Sequence, residues 1–346
     1  MELNKRYTTY EIFKKNIPRI DRCLEKSSGT IFEFFYYGIF EYEIKDLNVL
    51  LLKVIGEQSA MATIYLSKLN NYNKKFVTKI MRLSDLSIKE LDITEHLSNI
   101  AYKTKNIHLP LLYGHSLCNE IKEGIKIREV NEIEEKYNPI NSYYSLFIEL
   151  YEGSMQILLI TLARNLLTHS NETTFKDNIK NIIMQCFISI LTCHINGVYH
   201  RDTHINNFLY QKSNLNDYFY NYLYEYSYKD LKFNLKSKPF IISICDFGLS
   251  DYEKNLKNSA DMIWVNKYRP EYKLFRQDYI LFLNSLNDNY LKKHKLIMNI
   301  LNLDLLYELL EKSNDDYEFF KHLIENKLFD NYEKNERIIE INLNST

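Results

Sequence analysis

Glycine and proline are scarce, with 8 and 5 residues in 346, which argues against an all-β sandwich built on many tight turns. Cysteine is sparse and unpatterned. Cys23, Cys118, Cys186, Cys193 and Cys245 form no C-x-x-C pair and are odd in number. That argues against a zinc site or a disulfide framework and predicts reduced thiols in a reducing compartment. No apolar run approaches the ~18 residues of a membrane span. Polar Met1–Arg6 lacks the apolar core of a secretory signal. Net charge is -1, so no global basic field draws the chain to nucleic acid or to an anionic membrane. These absences predict a soluble, cytoplasmic protein with no membrane span and no nucleic-acid partner.

Hydrophobic residues make up 45% of the chain and charged residues 26%, an ordinary balance for a globular protein with a sizeable core. Tyr, Asn, Lys and Ile are abundant, as in AT-rich genomes. Residues 1–45, with the aromatic cluster Phe32–Tyr37, read as an N-terminal extension packed on the first lobe of the chain. Val49–Ile55, Ile64–Leu66 and Phe76–Met81 read as strands, the last carrying Lys79 between apolar neighbours. Alternation alone also allows Lys79 to be a solvated position on an edge strand. Ser87–Ala101 reads as a helix with Glu90 and Glu95 as its candidate acids. Residues 119–140 read as an exposed excursion, and Tyr144–Tyr151 as a strand ending near a hinge at Gly153.

Thr174–Asn196 is the clearest helix. Ile179, Ile182, Ile183, Cys186, Phe187 and Ile190 share one face, Thr174 with Asp177 offers a capping box, and Gly197 a stop. His194 reads as a helix-end histidine and not a ligand. Tyr218, Tyr220, Tyr222, Tyr224, Tyr226 and Tyr228 recur with period two, which is one face of a strand. They predict a β-hairpin insertion over about 211–238, its aromatic face either packed on the body or offered to a partner. Helices are expected at 272–285, 288–302, 303–312 and 316–328, and the polar tail from Asp330 is expected to fray.

Two stretches carry chemistry. The first, Tyr199–Tyr210, contains His200, Arg201, Asp202 and, five residues on, Asn207. A carboxylate and a carboxamide on one tight loop can divide a task, one orienting a hydroxyl and the other holding a metal. The second, Ile244-Cys245-Asp246-Phe247-Gly248, is an apolar strand ending on a carboxylate and a glycine. Together with Val77-Thr78-Lys79 these motifs resemble the protein kinase superfamily. Within it the chain is most similar to the Ser/Thr-type kinases of giant and other large cytoplasmic DNA viruses. That likeness rests on Asp202-Thr203-His204 before Asn206-Asn207-Phe208-Leu209, on His108–Gly114, and on the Tyr-rich insertion before Asp246. It covers roughly residues 50–285.

The resemblance implies an α+β, bilobal protein-kinase-like fold over residues 46–346. A small antiparallel-sheet N-lobe would span about 46–148 and a larger, mainly helical C-lobe about 155–346. It implies ATP and Mg²⁺ as cofactors and the Ser/Thr hydroxyl of a protein as acceptor. Asp202 becomes the catalytic carboxylate and His204 its neighbour at the transferring phosphoryl group. Lys79, paired with Glu90 or Glu95, becomes the phosphate ligand. Ser59, Ala62 and Ile64 line the nucleotide, Glu149 and Tyr151 contact adenine through their main chain, and Asn207 and Asp246 hold the metal. Arg201 becomes a partner for a phosphorylated loop, with Ser250, Tyr252 and Ser259 as candidate phosphosites.

Departures from the pattern keep alternatives open. Glu57, Ser59 and Ala62 stand where glycines are expected, and Tyr268-Arg269-Pro270-Glu271 only approximates the family's Ala-Pro-Glu. His204 replaces the common Lys and is similar to small-molecule phosphotransferases of the aminoglycoside and choline kinase type. A non-catalytic scaffold is the third reading, motivated by the missing glycines.

Overall fold

The computed structural model describes residues 3–17, 25–26, 42–44, 49–55, 62–69, 72–118, 142–169, 172–212, 222–259, 273–287, 300, 302–330 and 337–344. The chain divides into a sheet unit, Asn4–Glu95 with Leu111–Leu150, and a helical unit, His96–Pro110 with Tyr151–Thr346 and Met1–Leu3.

The sheet unit is built on seven strands: β1 (Glu25–Lys26), β2 (Tyr42–Ile44), β3 (Val49–Val54), β4 (Ala62–Leu69), β5 (Tyr72–Arg82), β6 (Leu112–Cys118) and β7 (Tyr143–Ile148). Their spatial order is β1-β2-β3-β4-β5-β7-β6 and every pairing is antiparallel. Alternation along β5 gives the sheet two different faces. Phe76, Thr78 and Ile80 are fully buried on one. Helix α1 (Leu3–Asn16) supplies Phe13 to that face, 5.3 Å from the Phe76 ring and 4.6 Å from Tyr113. On the other face helix α2 (Asp85–Thr104) inserts Leu91 among Ala62, Met81, Leu112 and Leu146.

Helix α1 lies in the stretch expected to be a mere extension. Arg6, Tyr10, Phe13 and Ile17 form its buried stripe, at helical spacing. A charged residue within that stripe hides it from a hydropathy reading.

Around the helical unit's central helix, α4 (Glu172–Ile195), pack α3 (Met155–His169), α5 (Arg276–Leu286), α6 (Leu303–Lys312) and α7 (Asp316–Glu325). From Asn181 to His194 every residue of α4 is buried. Its Phe187 ring meets Tyr279, Phe282 and Phe319 edge-on at 5.7, 5.7 and 5.5 Å. The helix begins at Glu172, so Thr174 and Asp177 lie inside its first turns and do not form the expected cap. Gly197 ends it as expected, with a positive φ of 70° and its N–H on the His194 carbonyl.

Short strands complete this unit. Strand β10 (Phe208–Lys212) runs antiparallel between β8 (Gly153–Ser154) and β13 (Phe240–Ile244), and β9 (Val198–Tyr199) pairs with β14 (Asp251–Tyr252). The tyrosine-rich stretch forms β11 (Tyr222–Tyr228), antiparallel to β12 (Leu231–Lys236). Tyr218 and Tyr220 lie outside the described residues, as do the Phe32–Tyr37 cluster, 119–140 and most of 288–302. Tyr226 and Tyr228 are buried, with Tyr226 stacked 5.5 Å from Phe233 and its hydroxyl 2.7 Å from His108 Nε2. This part of the face is core.

Two expectations need correction. The tail does not fray throughout: β15 (Arg337–Asn342) adds to β11 in parallel, carrying Ile341 into the core. Its Ile339-x-Ile341-x-Leu343 alternation is the physical reason. Cys118 is disulfide-bonded, against the expectation of reduced thiols throughout, whereas Cys186, Cys193 and Cys245 are free. Among the described residues no helix is long and apolar enough to cross a membrane.

Candidate active site

Lys79 projects from the middle of β5, directly opposite Ile64 on β4 and Leu146 on β7. Both neighbouring strands are paired, so this is no solvated edge position. Its Nζ donates to Glu90 Oε1 at 2.5 Å, and the two side chains are only 8% and 6% exposed. Glu90 sits on α2 beside Leu91, whose insertion into the sheet aims the carboxylate at β5. Glu95 is half-buried and one further turn along, so the open choice between the two acids falls on Glu90. Ile64, Val77 and Ile148 surround Lys79 on the same sheet face and remain half-buried. An incompletely covered apolar face around a buried ion pair suits a flat heteroaromatic group joined to phosphates. Val77 and Ile148 were not singled out in the sequence, where they are only two apolar strand residues. Ala62 is buried in the cluster with Met81 and Leu91, and Ser59 lies outside the described residues.

In the helical unit, the loop between β9 and β10 is fixed by its own main chain. Asn207 Nδ2 donates to the Asp202 carbonyl at 2.8 Å and to Asp202 Oδ2 at 3.1 Å. The Asn207 N–H closes a turn onto the His204 carbonyl at 2.9 Å. His204 Nδ1 accepts the Asn206 N–H at 3.2 Å, so the neutral ring carries its proton on Nε2, which lies 3.6 Å from Asp202 Oδ2. The side chains of His204 and Asp202 are 44% and 38% exposed, open enough to meet a substrate.

Beneath the loop, His200 is fully buried. It accepts the Asp202 N–H on Nδ1 at 3.3 Å and donates from Nε2 to the Cys245 carbonyl at 2.8 Å, with Phe247 packed 5.3 Å away. This imidazole ties the Asp202 loop to the strand end that carries Asp246. Phe208 pairs with Ile244, and Cys245 donates its N–H to the Asn207 carbonyl at 2.8 Å. Asn207 and Asp246 therefore stand at the same end of one antiparallel pair. Asp246 is exposed and left-handed, with φ 65°. For a residue with a Cβ this is a strained backbone, of order 1–3 kcal/mol, and such strain clusters at working sites.

Sequence reading missed the residue that holds all this in place. Asp278 on α5 is 1% exposed and accepts the N–H groups of His200 and Arg201, each at 2.7 Å. Those two bonds hold Arg201 in its left-handed conformation, φ 66°. Thr203 Oγ1 donates to the Asp278 carbonyl. His194 binds Asp278 through Nε2 at 3.0 Å and Asp316 through Nδ1 at 2.9 Å. Burial alone would depress the His194 pKa. The charge of Asp316 and the bonds to both carboxylates outweigh it and push it up to about 10. Burial likewise opposes ionisation of Asp278, and His194 with the His200 N–H holds it below the usual carboxylate range. His194 is thus a buried cation and no ligand of the site. An acid in the first turn of a helix is ordinary in a sequence, and only the tertiary fold marks Asp278 as different.

The oxygen set suits a hard cation. Asn207 spends its amide nitrogen on Asp202, which leaves its oxygen as the atom for a metal, and the Asp246 carboxylate is exposed at the same strand end. Among the described residues no group of three or more His, Cys, Asp or Glu gathers as a metal site. Mg²⁺ needs no such cage, because it keeps waters and phosphate oxygens as ligands. Glu149 is buried with its carboxylate on Arg6, so only its main chain is left for the adenine role, and Tyr151 is half-buried. Ser250 is buried and donates to the His200 carbonyl at 3.2 Å, which removes it as a phosphosite; Tyr252 and Ser259 are half-buried. Residues 260–272, with Tyr268–Glu271, lie outside the described residues.

No family model and no curated protein matches the chain. Among solved structures it is similar to the BubR1 kinase domain, with 14% identity, 73% of this chain and 59% of that one covered, and a TM-score of 0.41. It is also similar to PK-1, a kinase of the Cydia pomonella granulovirus, with 18% identity, 59% and 55% covered, and a TM-score of 0.34. The chain spans less than two thirds of the length of either. Both of these solved structures are kinases, and the likeness is one of fold.

Proposed function

We propose that the chain is an ATP- and Mg²⁺-dependent phosphotransferase acting on Ser/Thr hydroxyls of protein substrates. The observation that carries this reading is the pair of hydrogen bonds that Asn207 Nδ2 donates to the Asp202 carbonyl and carboxylate. It fixes Asp202 as a half-exposed base while reserving the Asn207 oxygen for a cation. Asp202 orients and accepts the proton of the acceptor hydroxyl. Lys79, held by Glu90, neutralises phosphate charge, and Ile64, Val77 and Ile148 take the base. His204 offers its Nε2–H to the equatorial oxygens of the transferring group. Asn207 and Asp246 would hold Mg²⁺, which would supply neutralisation of phosphate charge. Phosphoryl transfer asks for little covalent chemistry from the protein, so positioning supplies most of the rate.

The half-exposed His204 beside Asp202 favours a second reading, transfer to a small-molecule hydroxyl of the aminoglycoside or choline kind. Labelled ATP offered with the protein itself, casein-like proteins, aminoglycosides and choline decides between them. Label on protein supports the first reading and label on a small molecule the second. In either case Asp202→Asn should cut turnover by ~10²–10⁴-fold with folding intact. Undiminished turnover in that variant sinks the assignment of Asp202. Absence of both Mg-ATP binding and transfer leaves a scaffold.

A further inference from the structure

The carboxylate of Glu149 is gripped by helix α1. Arg6 Nε donates to Oε1 at 2.9 Å and to Oε2 at 3.1 Å, Nη2 donates to Oε2 at 2.7 Å, and each side chain is 4% exposed. Arg6 Nη1 donates to the Tyr7 hydroxyl at 3.2 Å. A planar fork on both oxygens fixes direction as well as distance, which a lysine cannot do. The nearby ammonium of Lys74 is occupied, donating to Thr9 Oγ1 at 2.7 Å. The main chain of Glu149 is held as well, its N–H on the Leu111 carbonyl at 3.0 Å.

Helix α1 cannot slide to accommodate a different grip. At its far end the Ile17 carbonyl oxygen lies 2.0 Å from where a Cβ on Gly114 would stand, a contact only glycine allows. Between the two ends Phe13 is locked among Phe76, Tyr72 and Tyr113. Two fixed points on one rigid rod, about 16 Å apart at 1.5 Å per residue, therefore set the place of Glu149.

We propose that Arg6 is a positioning residue for nucleotide binding: through the Glu149 carboxylate it fixes the main chain at Glu149 that contacts the adenine. This rests on the phosphotransferase reading. A buried bidentate pair far from any transferring group acts on nucleotide affinity and not on the chemical step.

The test uses the full chain with ATP titrated at saturating acceptor. Arg6→Ala should raise the KM for ATP about tenfold with kcat within about threefold, the pattern of lost uniform binding. The charge-swapped double variant Arg6→Glu/Glu149→Arg should bring KM back toward the parent value. If Arg6→Ala does not fold, Arg6→Lys, which keeps the charge and loses the fork, should show the raised KM instead. An unchanged KM in the folded variant, with only the melting temperature lowered, overturns the proposal and leaves Arg6 structural. A parent chain that binds no Mg-ATP removes the phosphotransferase reading and this inference with it. Parent binding that Arg6→Ala or Arg6→Lys leaves intact removes the inference alone.

Discussion

The Lys79–Glu90 pair and the His194–Asp278–Asp316 cluster are both buried ionic groups, and they are built differently. Lys79 and Glu90 form a pair in which each side chain answers the other, at the edge of a half-covered apolar face. His194, Asp278 and Asp316 form a cluster in which one carboxylate also serves the main chain, accepting the His200 and Arg201 N–H groups. A buried ion pair made by two side chains can be exchanged for apolar residues of similar size at little cost to the fold. A carboxylate with backbone obligations cannot, because its removal orphans buried donors. The first arrangement joins two side chains, and the second spends a carboxylate on the main chain of a loop.

The strongest way to break this contrast is Asp278→Leu. It takes away one of the two carboxylates on His194 and strands two backbone donors, and the expected loss is about 3–5 kcal/mol of unfolding free energy, read by denaturant titration. A loss below about 1 kcal/mol would mean that the loop holds itself. Next comes Lys79→Met with Glu90→Leu. Stability should stay within about 1 kcal/mol of the parent while ATP turnover falls by on the order of 10²-fold, since the phosphate charge loses its partner. Equal turnover would show that the pair is structural like the other.

A pH series then separates the two groups. His194 is raised from 6.5 to about 10, so its stabilising contribution is whole below about pH 6.5 and is lost as pH climbs toward 10. Denaturation midpoints should fall across that window, by on the order of a few kcal/mol in free energy. The fall should persist in the Lys79→Met/Glu90→Leu variant and flatten in His194→Gln. Asp278 acts at the opposite limit. Its lowered pKa gives stability above its unfolded value that acid removes. The smallest effect calibrates the rest. Tyr226→Phe removes the hydrogen bond to His108 and should cost about 1 kcal/mol, read by denaturant titration.

What could be read from the chain alone divides along a physical line. Local period revealed strands β3, β4, β5 and β7 and helix α4, and motif spacing singled out Asp202, Asn207 and Asp246 as candidates, because these depend on neighbours in sequence. Asp278 could not be read, since its meaning lies in donors on a loop 78 residues away. Helix α1 was obscured for the opposite reason. Its buried stripe contains Arg6, and only the partner Glu149 makes that arginine a core residue. The choice between Glu90 and Glu95 was likewise tertiary, decided by which turn of α2 faces β5. Val77 and Ile148 could have been found once Lys79 was placed, because cross-strand pairing puts them on its face.

The parallel pairing of β15 with β11 carries a consequence for synthesis. Lys229 and Asn344, joined by a hydrogen bond at 2.7 Å, are 115 residues apart. As the chain leaves the ribosome, at about 5–20 residues per second, the tyrosine-lined hairpin waits several seconds for its third strand. During that interval one row of amide groups on β11 stays open beside aromatic side chains, a template for another nascent copy. Strand β15, translated after the hairpin, thus acts as its cover. A chain cut before Arg337 should keep its chemistry yet aggregate co-translationally, measured as soluble yield at low and high expression.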